Sequence, residues 1–275
     1  MDIDVSDALS YAQRDKKWMD KWLKGSWFLF IPSVIWILSN PLAHSTRRNV
    51  SAFIEANPWA MYVLALMLVI CTLLLFFVSG YLIENLFYRL RNYGAKLPEW
   101  NGYLTLCMLA VNLFAGMLPH TLLFGGILYG MFKLLNPAAG NPFCVFIWVF
   151  TLIVLSVFYF LYTSSAVLSY ANELKVNAFF EFDLIFKIMG TNFLSLLVAM
   201  IAIFTIYVVY FMISIPLKST VIGVIFLPFI LFYIYLVFVE ILAQVGRNPI
   251  EDSRWEAAKM NRALRKIDFI TKELN

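Results

Sequence analysis

Six apolar stretches, about residues 22–42, 58–82, 112–134, 142–164, 192–213 and 220–244, run through this chain, and their only Lys or Arg are Lys24 and Lys133, close to their ends. Crossing the hydrocarbon core of a bilayer takes about 20 apolar residues per helix. A soluble interior has no room for six such runs. Composition agrees: of 275 residues, 62% are hydrophobic and 14% charged, against roughly half and a quarter in a soluble domain. Barrel strands would alternate apolar and polar residues, yet 61–78 and 222–239 are apolar on every side. The pattern predicts an all-α fold, a polytopic membrane helical bundle with six transmembrane helices.

Six spans put both termini on one side. With the termini inside, 17 of the 21 Lys and Arg fall in inner segments, and Arg47, Arg48, Lys133 and Lys218 fall outside. That bias follows the positive-inside rule and predicts a multi-pass protein of the cytoplasmic (inner) membrane with cytoplasmic termini. The net charge of +4 reflects this topology and calls for no nucleic acid. Acids interrupt the basic residues, which weakens the case for a polybasic lipid patch. Trp18, Trp22 and Trp27 flank the first span, where tryptophans anchor at headgroup level. A charged segment with acids precedes that span and no A-x-A site follows, unlike a cleavable signal.

Span 2 is expected to continue as a helix through Arg91, until Gly94 and Pro98 break it. About thirty apolar residues then lead to Leu134, too many for one perpendicular span at about 1.5 Å per residue. An in-plane elbow helix over about 100–111, turning into a span at Asn112, removes the excess. The second long inner loop repeats the plan, with an amphipathic stretch at 184–189 before a span that opens at Asn192. Together they suggest a parallel duplication of span, elbow and span, as in transport-type proteins. Generic re-entry signals, an acid near a helix start and an interfacial aromatic, explain the same text. Residues 1–247 thus read as the six-span domain and 248–275 as a cytoplasmic amphipathic helical tail. Its apolar face is Ala257, Met260, Leu264, Ile267, Ile270 and Leu274.

Ionisable groups inside spans are functional candidates because they are costly to bury. His120 lies about 12 Å into span 3, after the kinking Pro119. It either lines a polar cavity or bonds the loosened backbone or a neighbouring helix. Glu84 and Glu240 each precede an Arg by seven residues, Arg91 and Arg247, so each pair shares a helix face. Gln244 lies between the latter two. These acids form either a cation or proton site or rim ion pairs at the cytoplasmic face. Asn112 and Asn192 either line a path or cap helices. Gly125, Gly126 and Gly130 read as close helix packing. Two histidines and three scattered cysteines, Cys71, Cys107 and Cys144, give no metal spacing. No nucleophile elbow or P-loop occurs, so no enzyme, cofactor or metal is expected.

Arg14-Asp15-x-x-Trp18, Gly80-Tyr81, Leu97-Pro98-Glu99-Trp100, Pro228-Phe229 and Gln244-x-x-Arg247 resemble a family of prokaryotic six-span integral membrane proteins known only as a domain of unknown function. The resemblance covers about residues 7–247 and omits the tail. It implies a bacterial or archaeal cytoplasmic membrane protein with an elbowed layout, and transfers no catalytic residue. Span 1 departs from the family's glycine-rich pattern, holding only Gly25 before Pro32. The sequence leads to a non-enzymatic scaffold or permease-like subunit, embedded in lipid and meeting a protein partner or itself through elbows or tail. The competing reading is a small transporter or channel for an ion or small solute using Glu84, Glu240 and His120.

Overall fold

A computed structural model describes residues 3–39, 59–91, 97–135, 141–217, 220–248, 250, 252 and 255–257. Among these the chain is helical, with no strand. Short α1 (Val5–Ser10) runs into a 3-10 turn (Tyr11–Arg14), then come α2 (Trp18–Ser39), α3 (Trp59–Leu90), α4 (Tyr103–Leu135) and α5 (Pro142–Glu173). A second 3-10 turn (Val176–Phe180) leads to α6 (Phe182–Thr191), α7 (Phe193–Leu217) and α8 (Val221–Gly246).

Among the described residues, five segments are long and apolar enough to cross a membrane: Ala65–Leu90, Tyr103–Leu135, Pro142–Glu173, Phe193–Leu217 and Ile225–Gly246. Their apolar side chains face outward: Leu194 is 75% exposed and Phe143 69%. Water would oppose such a surface, and lipid does not. The described part of the first predicted span, α2, carries Asp20, Lys21 and Lys24 in its opening turns and is not among the five. The tail beyond Ala257, and with it most of its expected apolar face, lies outside the described residues.

The chain divides into two compact units. An N-terminal unit comprises 4–110 and 202–241, and a central unit comprises 1–3, 111–201 and 242–275. In the N-terminal unit α2 packs on α3, around Tyr11, Leu29, Val78, Tyr81, Leu97, Trp100, Leu106 and Phe232. Tyr81 and Trp100 stack with centroids 3.9 Å apart. In the central unit α5 packs on α6 and on the second 3-10 turn, burying Leu168, Tyr170, Phe179, Leu184, Ile185 and Ile188.

Chain signals account for the ends. Asn141 caps α5, its side chain accepting from the Phe143 N–H, with Pro142 at the first turn. Leu174 closes the same helix in the left-handed region at φ 55°, donating its N–H to Tyr170 O. A leucine there costs roughly 1 kcal/mol, held by the bond. Gly102, at φ 65°, takes the same region before α4, and its carbonyl accepts from Leu106 N.

The two inner connections differ in their described residues. No elbow breaks at Asn112: α4 is one helix of 33 residues. Its opening turns carry no proline or glycine, and Leu106, Leu109 and Ala110 are buried. The surplus length is thus a packed helix end. The later connection does hold a separate amphipathic helix, α6, with Leu184, Ile185 and Ile188 buried and Phe182, Phe186 and Lys187 exposed.

Candidate functional site

Two clusters of buried polar side chains lie in the N-terminal unit. Where the chain approaches α2, the Asp15 carboxylate accepts from Lys17 N (2.8 Å) and Leu97 N (2.8 Å). Lys21 Nζ bridges from it, donating to Asp15 Oδ2 at 2.9 Å, Leu97 O at 2.6 Å and Glu99 Oε1 at 3.0 Å. Asp15 and Lys21 are both buried. Trp100 Nε1 donates to Lys21 O (2.9 Å) and Tyr81 hydroxyl to Pro98 O (3.2 Å). Burial would raise the Asp15 carboxyl, but the Lys21 ammonium and the two backbone N–H groups outweigh it and hold it below 3.8. Two of the motifs singled out in the sequence, around Asp15 and around Leu97–Trp100, are therefore halves of one clamp.

The second cluster lies within α3 and α8. Glu240 is fully buried, and its carboxylate accepts from Arg89 Nε. The Arg89 guanidinium also lies over the Tyr11 ring, 4.8 Å from its centroid. The Tyr11 hydroxyl accepts from Asn85 Nδ2 at 2.7 Å. The Arg89–Glu240 bond runs between helices, from α3 to α8, and not along one helix. Arg91 lies over the Phe87 ring at 3.9 Å and donates to Phe87 O. Glu84 keeps one carboxyl oxygen buried without a hydrogen-bond partner. A fully buried acid bound to a guanidinium has given its charge to the fold, since breaking such a pair leaves an uncompensated ion.

In the central unit His120 is buried and bonded at both nitrogens. Nε2 meets Phe179 O at 3.1 Å and Nδ1 meets the Tyr162 hydroxyl at 3.1 Å. A carbonyl only accepts, so Nε2 carries the proton and Nδ1 accepts from Tyr162. One turn before His120, Gly116 leaves room for the Phe179 ring, which a Cβ there would overlap. His120 and Gly116 thus seat the 3-10 turn on α4. Gly125, Gly126 and Gly130 do not mark close packing: a Cβ at each meets nothing within 4 Å, because that half of α4 is exposed.

Asn192 is the joint between α6 and α7. Its N–H and Nδ2 both donate to Ile188 O, its carbonyl accepts from Leu196 N, and its Oδ1 accepts from Asn248 at 2.7 Å. Asn112 is half-buried inside continuous α4, away from any helix start. Gln244 and Arg247 lie half-buried at and just past the end of α8. The start of the tail is pinned to its own unit. Trp255 is fully buried, its carbonyl accepts from Asn172 Nδ2 (3.2 Å), and Asp252 meets Lys187 at 3.5 Å.

Among the described residues no group of three His, Cys, Asp or Glu could hold a metal ion. A cleft of about 540 Å³ includes Thr191, Ser195 and Asn248, and one of about 440 Å³ includes Lys24, Trp27 and Phe229. Neither is lined by Glu84, Glu240 or His120. No family model, curated protein or solved structure matches this chain.

Sequence reasoning missed Lys21, Arg89, Asn85, Tyr11, Tyr162 and Trp255 as bonding residues. Arg89 carried a signal, as a cation inside the last turns of a span next to Glu84. Its partner lies on another helix, which spacing along one helix does not reveal.

Proposed function

We propose that this chain is a non-enzymatic integral membrane protein, a scaffold or permease-like subunit that acts with partners at the cytoplasmic membrane. The observation that carries the reading is where the intramembrane polar groups are spent. Glu240 is bound to Arg89, and His120 to Phe179 and Tyr162. Groups that hold a fold together are poorly placed to pass a solute, because each release breaks a buried bond. Both termini are cytoplasmic on the charge bias, and the motifs quoted above are similar to those of the prokaryotic family. Mild extraction from the native membrane followed by mass measurement tests the proposal. A particle heavier than the chain by a second protein or a second copy supports it. A lone chain of 31.7 kDa carrying only lipid opposes it.

One observation favours a second reading, a small transporter or channel. The unpartnered buried oxygen of Glu84 is the kind of group a proton or cation would satisfy.

A further inference from the structure

We propose that the start of the tail, from Asn248 to Trp255, is a latch on the joint between α6 and α7, so that tail start and joint open and close together. Its ties lie within the central unit. Trp255 is the anchor: it is fully buried, and its carbonyl accepts from the buried Asn172 Nδ2 near the end of α5 at 3.2 Å. Ile250 is buried as well. Asp252 Oδ2 meets Lys187 Nζ of α6 at 3.5 Å. Asn248, just past the end of α8, donates from Nδ2 to Asn192 Oδ1 at 2.7 Å. Lys187 is exposed, so its ion pair is worth little alone. The ties reinforce one another because the chain between them is short. From Asn248 to Trp255 it spans at most about 25 Å, and each tie made raises the effective concentration for the next.

The joint depends on the latch through one amide. Asn192 is buried, and both its N–H and its Nδ2 go to Ile188 O, at the end of α6. A carbonyl only accepts, so that bond fixes the side chain with Nδ2 toward α6 and Oδ1 toward Asn248. Oδ1 thus takes its donor from a residue 56 positions later. Withdrawing Asn248 strands a buried acceptor, which is costly. Turning the Asn192 amide to water instead breaks its bond to Ile188 O. A cleft of about 540 Å³, lined in part by Gly190, Thr191, Ser195 and Asn248, gives the joint room to move. Whatever draws the chain away at Trp255 is thereby felt where α7 begins.

Amide exchange of the full-length chain in detergent tests this at two sets of positions. The amides of Asn192 and Leu196, bonded to Ile188 O and Asn192 O, report on the joint. Those of Asp252 and Glu256, bonded to Ile250 O and Asp252 O, report on the tail start. Asn248→Ala is expected to speed exchange at both sets by one common factor, roughly 5- to 150-fold, the worth of a buried hydrogen bond left unmade. Trp255→Ala is expected to speed both sets together as well, with the amides of α3 unchanged. Asn248 is half-buried, so its variant carries the test if Trp255→Ala does not fold. Acceleration confined to Asn192 and Leu196 in Asn248→Ala, or to Asp252 and Glu256 in Trp255→Ala, would show two separate contacts and overturn the proposal. Acceleration that spreads equally to α3 would mark general unfolding and overturn it too.

Discussion

At residue scale, two glycines of α3 and α4 differ by what stands beside them. A Cβ on Gly80 would fall on the backbone of Leu106, which has no rotamer to move, whereas one on Gly125 meets open space. Gly80→Ala is therefore expected to lower the melting temperature of the detergent-solubilised protein by several degrees or to prevent its assembly. Gly125→Ala is expected to be neutral or to stabilise by about 0.5–1 kcal/mol through helix propensity. Equal melting temperatures would refute the close approach at Gly80. Asp15 gives a pH prediction. Its folded carboxyl titrates below 3.8, so its contribution is fully present above that value and is lost as pH falls through the depressed one. The slope of stability with pH between 7 and 5 should thus owe nothing to Asp15, and an acid limb below about 4 should flatten in Asp15→Asn. Thermal scans across pH read this out, and a wild-type limb near pH 6 that Asp15→Asn removes would contradict it.

At the scale of elements, the bonds that matter run between helices. Removing one partner of the Arg89–Glu240 pair strands a buried charge, at about 3–5 kcal/mol. Arg89→Met and Glu240→Leu are each expected to destabilise by that order, and the double variant by less than either alone. A denaturation cycle that came out additive would show that the two are not coupled. For the second 3-10 turn, His120→Ala is expected to speed amide exchange around Phe179 and Phe180, with Tyr162→Phe milder because it leaves the Phe179 bond. Unchanged exchange in His120→Ala would mean that Phe179 and Gly116 hold the turn without it.

These elements also mark how far the sequence could be read. The apolar runs of α3, α5 and α7 were legible because lipid selects residues by type over about 20 positions. The run of α3 to Leu90 followed from the helical text before Gly94. The break expected at Asn112 is absent because α4 runs on with no breaker and one face of its first turns, Leu106, Leu109 and Ala110, is buried against protein. Sequence also placed Glu240 with Arg247, since seven residues is a helical repeat. Its partner Arg89 lies 151 positions away, a separation that no period reveals. Trp255 lies off the apolar face that the helical period assigns to the tail, yet that residue is buried in the central unit.

At the scale of the whole molecule, long apolar helices carry outward-facing apolar side chains, while Glu240, His120 and Asn192 are bound within their own units. We propose that the intramembrane polar groups serve as internal ties and do not form a path. Proton and monovalent-cation flux in liposomes reconstituted with the purified chain tests it most directly. The predicted result is flux no greater than in protein-free liposomes, unchanged by Glu84→Gln or Glu240→Gln. Saturable flux in the wild type that either substitution removes would contradict it.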